Sequence, residues 1–151
     1  MKEIKENFQK SILNKRITVI GLGLSGKAVS ILANHLGAIV YASDSGSSEE
    51  INSNAAELMN QHHIASETGI HSSKIYYSDL WIISPGVSAD SKIVNEASNL
   101  NIPIVSEIEF ASWFTNSPII GITGSNGKTT TTYILNQMFQ NEETIGIIGG
   151  N

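Results

Sequence analysis

The stretch that decides the fold runs from residue 17 to residue 26 and reads Ile17-Thr-Val-Ile-Gly21-Leu-Gly23-Leu-Ser-Gly26. Its first four residues are apolar or β-branched and predict a buried strand that ends at Gly21. Residues 27–36 then place apolar side chains on one helical face. A G-x-G-x-x-G loop between a strand and a helix is typical of diphosphate binding, because glycines permit a tight turn and a close backbone approach. We therefore predict a Rossmann-like domain around this loop.

The same alternation of short apolar runs and amphipathic stretches continues after the loop and predicts βαβ units with a mostly parallel sheet. Asp44 ends the second predicted strand, where a carboxylate can accept hydrogen bonds from a sugar or a base. Pro103 should confine its strand to a sheet edge or to a strand start. The predicted strands cover residues 17–20, 38–41, 80–83 and 102–105, and the predicted helices cover 27–36, 49–60, 90–100 and 107–114.

A second glycine loop, Thr123-Gly-Ser-Asn-Gly-Lys-Thr-Thr130, follows the most apolar run of the chain. Backbone N–H groups in such a loop surround the β- and γ-phosphates of a nucleotide, a lysine neutralises the γ-phosphate, and a hydroxyl holds Mg²⁺. Lys128 and Thr129 are the candidates for the last two roles. Residue 122 is Ile rather than Gly, so the loop is of the shorter G-x-x-G-K-T kind. The candidate ATP-binding residues are Gly124, Ser125, Asn126, Gly127, Lys128, Thr129 and Thr130.

This loop predicts the first βαβ unit of a P-loop ATPase-type domain, with strands at 119–122 and 144–148 and a helix ending near residue 139. The whole chain is thus predicted to be α/β, a Rossmann-like domain followed by that unit. We place the boundary between domains 1–106 and 107–151. The 45 or so residues of the second domain are too few to bury a stable core alone.

Composition excludes several classes of function. The 151 residues include 14 acidic and 9 basic side chains, and residues 28–151 hold 12 of the acidic and 3 of the basic ones, which argues against nucleic-acid binding by the folded body. Cysteine is absent, so disulfides and thiolate metal sites are excluded. No apolar run is long enough to span a membrane, and the N-terminus lacks the apolar region of a secretory signal. We expect a cytoplasmic protein without a membrane partner.

Four motifs in this order and spacing resemble the Mur ligases: the first glycine loop, Ser84-Pro85-Gly86 after the third predicted strand, the second glycine loop, and Gly149-Gly150-Asn151. The resemblance implies that residues 1–106 bind the UDP part of a UDP-sugar and that residues 107–151 begin the ATP-binding domain. It implies that the first loop contacts the diphosphate, that Asp44 and Ser45 contact the uracil end, and that Asn151 reaches the sugar-nucleotide or metal region. The implied UDP-sugar residues are Gly23, Leu24, Ser25, Asp44, Ser45, Gly86 and Asn151.

The reaction that the resemblance implies is ATP-dependent amide-bond formation in peptidoglycan precursor synthesis, most similar to the addition of D-glutamate to UDP-N-acetylmuramoyl-L-alanine through an acyl phosphate. Lys128 and Thr129 are then the catalytic residues, ATP and Mg²⁺ are the cofactors, and Thr129 is the metal ligand. The implied partners are these small molecules, and the full-length enzyme is expected to be a monomer. Family members carry a further metal-binding Glu, a His, a modified Lys and a third domain beyond the second loop, so we expect an N-terminal fragment that is inactive alone.

One alternative stays open, because a nicotinamide, flavin or UDP-sugar diphosphate suits the first loop equally well. The chain could then be a non-enzymatic dinucleotide-binding module of the NAD type with a vestigial P-loop. The acidic residues Glu107 and Glu109 precede the second loop and are candidates for acid–base roles. A solvated helix face is the interpretation that we favour for both.

Overall fold

A computed structural model describes residues 2–140 and 145–149. The chain divides into two compact units, one that ends at Thr115 and one that starts at Asn116. No helix within these described residues combines the length and the apolar character needed to cross a membrane.

The first unit is built on a five-stranded parallel sheet. Its strands are β1 (Arg16–Ile20), β2 (Ile39–Asp44), β3 (Ala65–Thr68), β4 (Leu80–Ile83) and β5 (Ile104–Ser106). Their order across the sheet is β3-β2-β1-β4-β5, and every neighbouring pair is parallel. The chain order reverses direction between β1 and β4, and ligands of open α/β sheets bind at the carboxyl ends of the strands at such a point. The predicted α/β class and parallel sheet are confirmed.

Helices cover both faces of this sheet. They are α1 (Lys2–Lys10), α2 (Leu24–His35), α3 (Glu49–His62), α4 (Lys92–Asn99) and α5 (Glu107–Ser112), with one 3₁₀ turn at Ser73–Tyr76. Side chains alternate along the strands between two apolar clusters. Ile17 and Val19 of β1 pack in the larger cluster with residues of α1, α2, α3 and α5, whereas Ile20 packs in the smaller cluster with residues of α4. The middle of the sheet is therefore buried on both sides, and its carboxyl edge carries the loops.

One α-helix and one strand of the first unit were absent from the sequence prediction. Helix α1 packs Phe8 against the ring of Trp113, with 6.2 Å between ring centroids. Strand β3 is short and polar, so it lacks the apolar run by which a buried strand is detected. Pro103 precedes β5, which is an edge strand, as predicted. The sequence places the domain boundary after residue 106, whereas the compact unit extends to Thr115 because α5 packs in its core.

The second unit contains α6 (Lys128–Phe139), which confirms the helix predicted after the second loop. Residues 119–122 and 145–148 are not in strands, contrary to the prediction, and Thr144 lies outside the described residues. A strand forms only where a neighbouring strand takes up its backbone hydrogen bonds, and the described residues from Asn116 onward provide none. None of the side chains described in this unit is buried.

Candidate functional site

The first glycine loop joins β1 to α2 at the carboxyl edge of the sheet, and two of its glycines are required by their surroundings. Gly21 has a φ of +104°, and a Cβ there would meet the Ser84 hydroxyl at 2.5 Å. A Cβ on the buried Gly26 would overlap the carbonyl oxygen of Gly21. Gly23 differs, because its φ is −66° and nothing lies within 4 Å of a Cβ placed there. Gly21 and Gly26 are therefore required by the fold, whereas Gly23 leaves free space above the loop.

The peptide groups of Leu22 fix the loop to its neighbours. Its N–H donates to Asp44 Oδ2 at 2.7 Å, and its carbonyl accepts from the Nδ2 of the buried Asn54 at 2.8 Å. Asp44 Oδ1 also accepts from the Gly46 N–H at 2.7 Å. Asp44 thus holds both the loop and the turn after β2, and a carboxylate has further lone pairs that a ligand hydroxyl can use.

Helix α2 begins at this loop without a side-chain cap. Gly23 is the N-cap residue, and no side chain accepts from the first turn. Leu24 and Ser25 are exposed in that turn. The first N–H groups of a helix lack partners within the helix and carry partial positive charge, which suits them to a phosphate. The predicted diphosphate residues Gly23, Leu24 and Ser25 therefore lie together at a helix N-terminus.

The turn after β4 lies beside the loop. The Ser84 N–H donates to the Ile20 carbonyl at 2.9 Å, which ties this turn to the end of β1. Gly86 is exposed in the same turn. The Ser84 hydroxyl donates to the carboxylate of Glu107, the first residue of α5. The interpretation of Glu107 as a solvated residue was wrong: it is 7% exposed, because α5 packs against the sheet. Glu109 accepts from the Trp113 indole N–H at 2.9 Å.

A polar network lies at the carboxyl ends of β2 and β3. The hydroxyl of buried Ser43 lies 2.8 Å from Glu67 Oε1 and 2.7 Å from His71 Nδ1. Burial acts to raise the pKa of Glu67, but hydrogen bonds from Ser72, Ser43 and Tyr41 outweigh it and hold that pKa below its usual value. An ionised carboxylate can only accept hydrogen bonds, so Glu67 accepts from the one O–H of Ser43. The Ser43 oxygen then accepts from an N–H at Nδ1 of His71. The network fixes the orientation of His71 against Ser43, near the end of β2.

The second glycine loop leads into α6. Gly124 and Gly127 have φ values of +153° and +77°, so both glycines take backbone conformations that other residues rarely adopt. The Lys128 ammonium donates to the Gly124 carbonyl across the loop at 2.5 Å. Thr129 and Thr130 are exposed in the first turn of α6, whose N-cap has no side-chain hydrogen bond. All the candidate ATP-binding residues, 124–130, are exposed.

A Mg²⁺ ion fits this second loop in one respect. Mg²⁺ prefers oxygen ligands and is commonly held by one or two protein groups together with the phosphates of its nucleotide. The exposed hydroxyl of Thr129 follows the loop lysine and is one such oxygen. Among the described residues, no three His, Asp or Glu side chains are grouped so as to hold a metal ion. Asn151, predicted at the sugar-nucleotide or metal region, lies outside the described residues.

Three residues of the first loop's surroundings were not predicted from the sequence as part of the site: Asn54, Ser84 and Glu107. Asn54 is a buried polar residue on the inner face of α3, between apolar positions. The sequence signal for Asn54 was a polar side chain at a position of an amphipathic helix where an apolar one is expected. Ser84 belongs to a motif quoted above and Glu107 was weighed as an acid–base candidate, but their contact could not be predicted, because it joins residues 23 positions apart in the chain.

In a comparison with known proteins, two family models match this chain. The model described as the MurD N-terminal domain matches residues 16–93. The model described as the Mur ligase middle domain matches residues 122–151. The first match runs from β1 to the start of α4 and includes the first glycine loop, and the second covers the second glycine loop and α6.

Curated relatives agree with these models. The UDP-N-acetylmuramoylalanine--D-glutamate ligase of Chlorobium chlorochromatii (strain CaD3) is 38% identical over 127 residues, which are 84% of this chain and 27% of that protein. The enzyme of the same name from Lactococcus lactis subsp. lactis (strain IL1403) is 37% identical over 140 residues, 91% of this chain and 31% of that protein. The chain thus spans about a third or less of the length of these relatives.

Solved structures share the fold. A murein peptide ligase from Psychrobacter arcticus 273-4 superposes with a TM-score of 0.59 at 21% identity, over 81% of this chain and 25% of that one. The UDP-N-acetylmuramate:L-alanyl-gamma-D-glutamyl-meso-diaminopimelate ligase from Neisseria meningitidis gives 0.58 at 22% identity, over 81% of this chain and 38% of that one. At these identities the likeness concerns the fold alone.

Proposed function

We propose that this chain, which belongs to the Mur ligase family and matches the model of the MurD N-terminal domain, is part of a ligase. That ligase would add D-glutamate to UDP-N-acetylmuramoyl-L-alanine. The family assignment rests on the matches to both models and to the curated relatives. The observation that carries the proposal is the uncapped N-terminus of α2 at the sheet's switch point, next to a glycine with open space above it.

The first unit would bind the UDP part of the substrate. The N–H groups at Gly23, Leu24 and Ser25 would receive the diphosphate oxygens, where the partial positive charge of α2 favours an anion. Asp44 and Ser45 would contact the uracil end, because Asp44 ends β2, the strand beside β1 in the sheet, and Ser45 follows it. Gly86 is exposed in the turn after β4, on the other side of β1, and would lie under the nucleotide.

The second loop would bind ATP and serve the first chemical step. The substrate carboxylate attacks the γ-phosphorus, the bond from that phosphorus to the β,γ-bridging oxygen breaks, and ADP leaves with its electron pair. The amino group of D-glutamate then attacks the carbonyl carbon of the acyl phosphate, loses a proton and displaces inorganic phosphate. Lys128 would leave the Gly124 carbonyl to lie on the γ-phosphate, where its charge stabilises the transferring group.

Thr129 would hold Mg²⁺ through its hydroxyl, together with phosphate oxygens and water. The ion, when bound, supplies positive charge to the phosphates of ATP. The backbone N–H groups of residues 124–129 would surround the β- and γ-phosphates, and the Thr130 hydroxyl is a second candidate donor to them. Asn151 would approach the sugar-nucleotide or metal region.

We propose that the 151 residues alone bind nucleotide without turnover. The second loop and α6 have no buried side chain among the residues described from Asn116 onward, so no packed core holds them in a reactive geometry. Phosphoryl transfer depends on positioning to within fractions of an ångström. The ATP-binding domain that residues 107–151 were predicted to begin would therefore function only with further protein around it.

Calorimetric titration tests the proposal. UDP-N-acetylmuramoyl-L-alanine and UDP should bind the chain at one site each, and NAD⁺ should not bind. The variant Gly23→Val should abolish UDP binding, because its side chain would fill the space above the loop. Binding of NAD⁺ without binding of UDP would instead support a dinucleotide-binding module and contradict the ligase assignment.

A further inference from the structure

Glu107 is the one acidic residue that the structure reports as buried, among the residues it describes. Its side chain is 7% exposed at the first position of α5, directly after the Ser106 cap, whose hydroxyl accepts from the Glu109 N–H at 3.1 Å. An ionised carboxylate can only accept hydrogen bonds, and burying one without a donor is costly. The donor here is the Ser84 hydroxyl. A buried carboxyl group that is bound to a serine of another segment calls for an explanation beyond the packing of α5.

Ser84 connects that carboxylate to the first glycine loop. Its hydroxyl lies 2.5 Å from the position of a Cβ on Gly21 and 3.2 Å from that of a Cβ on Gly26. The side chain of Ser84 thus occupies the space that these two glycines leave below the loop. Because a serine hydroxyl has one proton, donation to Glu107 fixes the rotamer that Ser84 adopts there.

We propose that Glu107 is a positioning residue for the diphosphate loop and acts through Ser84. Glu107 holds the Ser84 hydroxyl against Gly21 and Gly26, and this contact keeps the loop in the conformation that presents the N–H groups of α2. The inference rests on the proposed UDP function of that loop. Because Glu107 is proposed to act through Ser84, it is not a catalytic residue.

The test measures UDP affinity of the 151-residue chain by calorimetry for Glu107→Ala, Ser84→Ala and the double variant. Each single change should weaken UDP binding about 10-fold, the loss expected when one hydrogen-bonded support of a binding loop is removed. The double variant should be no weaker than either single variant, because both remove the same interaction. Glu107→Gln should stay within about 3-fold of the unchanged chain, since its amide oxygen still accepts from Ser84.

Glu109→Ala is the matched control. Glu109 lies in the same helix, but its carboxylate accepts from the Trp113 indole at 2.9 Å rather than from the loop. This variant should lower the urea midpoint of unfolding and leave UDP affinity unchanged. If Glu107→Ala likewise lowers only stability and keeps UDP affinity within 2-fold, the positioning role is wrong and Glu107 merely packs α5.

Amide hydrogen exchange separates this inference from the proposed function. In Glu107→Ala the hydrogen-bonded N–H groups of the loop, at Gly21, Leu22 and Lys27, should exchange faster, while those at the centre of β1 keep their rates. That result supports the positioning role even if the unchanged chain fails to bind UDP, an outcome that would overturn the proposed function alone. Unchanged exchange at the loop in Glu107→Ala would overturn the inference whether or not UDP binds.

Discussion

The two glycine loops of this chain have similar sequences and opposite surroundings. The first lies against buried side chains: Leu22 is fully buried, and its peptide groups are bound by Asp44 and Asn54. The second is exposed along its whole length, and the Lys128 side chain donates to the Gly124 carbonyl within the same loop. The conformation of the first loop is therefore held by contacts with the surrounding core. The conformation of the second loop is held, among the described residues, by contacts within the loop itself.

The prediction with the largest expected effect on activity concerns the second loop. In the intact ligase, Lys128→Ala should lower kcat by about 10²–10³, the loss typical when one preorganised charge at a transition state is removed. UDP affinity should not change, because the first loop is held by its own contacts. A coupled assay of phosphate release measures the rate, and calorimetry measures UDP.

Lys92→Ala is the control for that experiment, since Lys92 is an exposed lysine at the start of α4. It should leave both quantities unchanged. Full activity in Lys128→Ala would show that the loop is vestigial.

Next in size is a change that separates glycines of the first loop by role. Gly21→Ala should lower the free energy of unfolding by about 1–3 kcal/mol, because φ is positive and the new Cβ would meet the Ser84 hydroxyl. Gly23→Ala should leave stability within about 0.5 kcal/mol, since the site is open and φ is negative. Urea unfolding measures both. If Gly23→Ala is less stable than Gly21→Ala, the roles assigned to the two glycines are wrong.

Much of the secondary structure around the two loops could be predicted from the sequence. The strand, glycine loop and helix around residues 17–36 and the helix after Lys128 follow from apolar periodicity and glycine placement, and the structure has all of them. Strand β3 could not be predicted, because its four residues, Ala65–Thr68, contain no apolar run. The strand predicted at 119–122 is missing, because apolar content alone does not supply a neighbouring strand.

The site was less predictable than the fold. The loop residues and Asp44 were identified from a local motif, and they lie together at the carboxyl edge of the sheet. The supporting contacts of Asn54, Ser84 and Glu107 join segments distant in sequence, so they depend on the packing of α3 and α5 on the sheet. Glu107 was assigned with Glu109 to a solvated helix face, whereas it is buried because α5 packs in the core of the first unit.

Asn54→Ala sharpens the comparison by removing one support of the first loop. The Leu22 carbonyl would lose its partner in a buried place, which costs about 1–2 kcal/mol of unfolding free energy. UDP affinity should fall as well, whereas ATP binding by the second loop should not change. Asn60→Ala in the same helix, at an exposed position, is the control and should change neither. Loss of stability without any loss of UDP affinity would show that the Leu22 peptide does not govern the loop.

The smallest expected effect lies at the opposite edge of the sheet, away from both loops. Asp79 accepts from the backbone N–H of Arg16 at 2.9 Å and from its guanidinium at 2.6 Å, and the hydrogen bond from Arg16 lowers the pKa of Asp79 despite partial burial. A lowered folded-state pKa stabilises the fold above the unfolded-state value of about 4 and loses this contribution as the pH falls through the folded-state pKa. Asp79→Asn should therefore cost at most about 1 kcal/mol at pH 7, given that the pair is about one-third exposed, and progressively less below pH 4. Urea unfolding from pH 7 to pH 3, with the exposed Asp90→Asn as control, measures it. A cost that grows as the pH falls would contradict the sign, and a change in UDP affinity would show that the first loop's support extends to the amino end of β1.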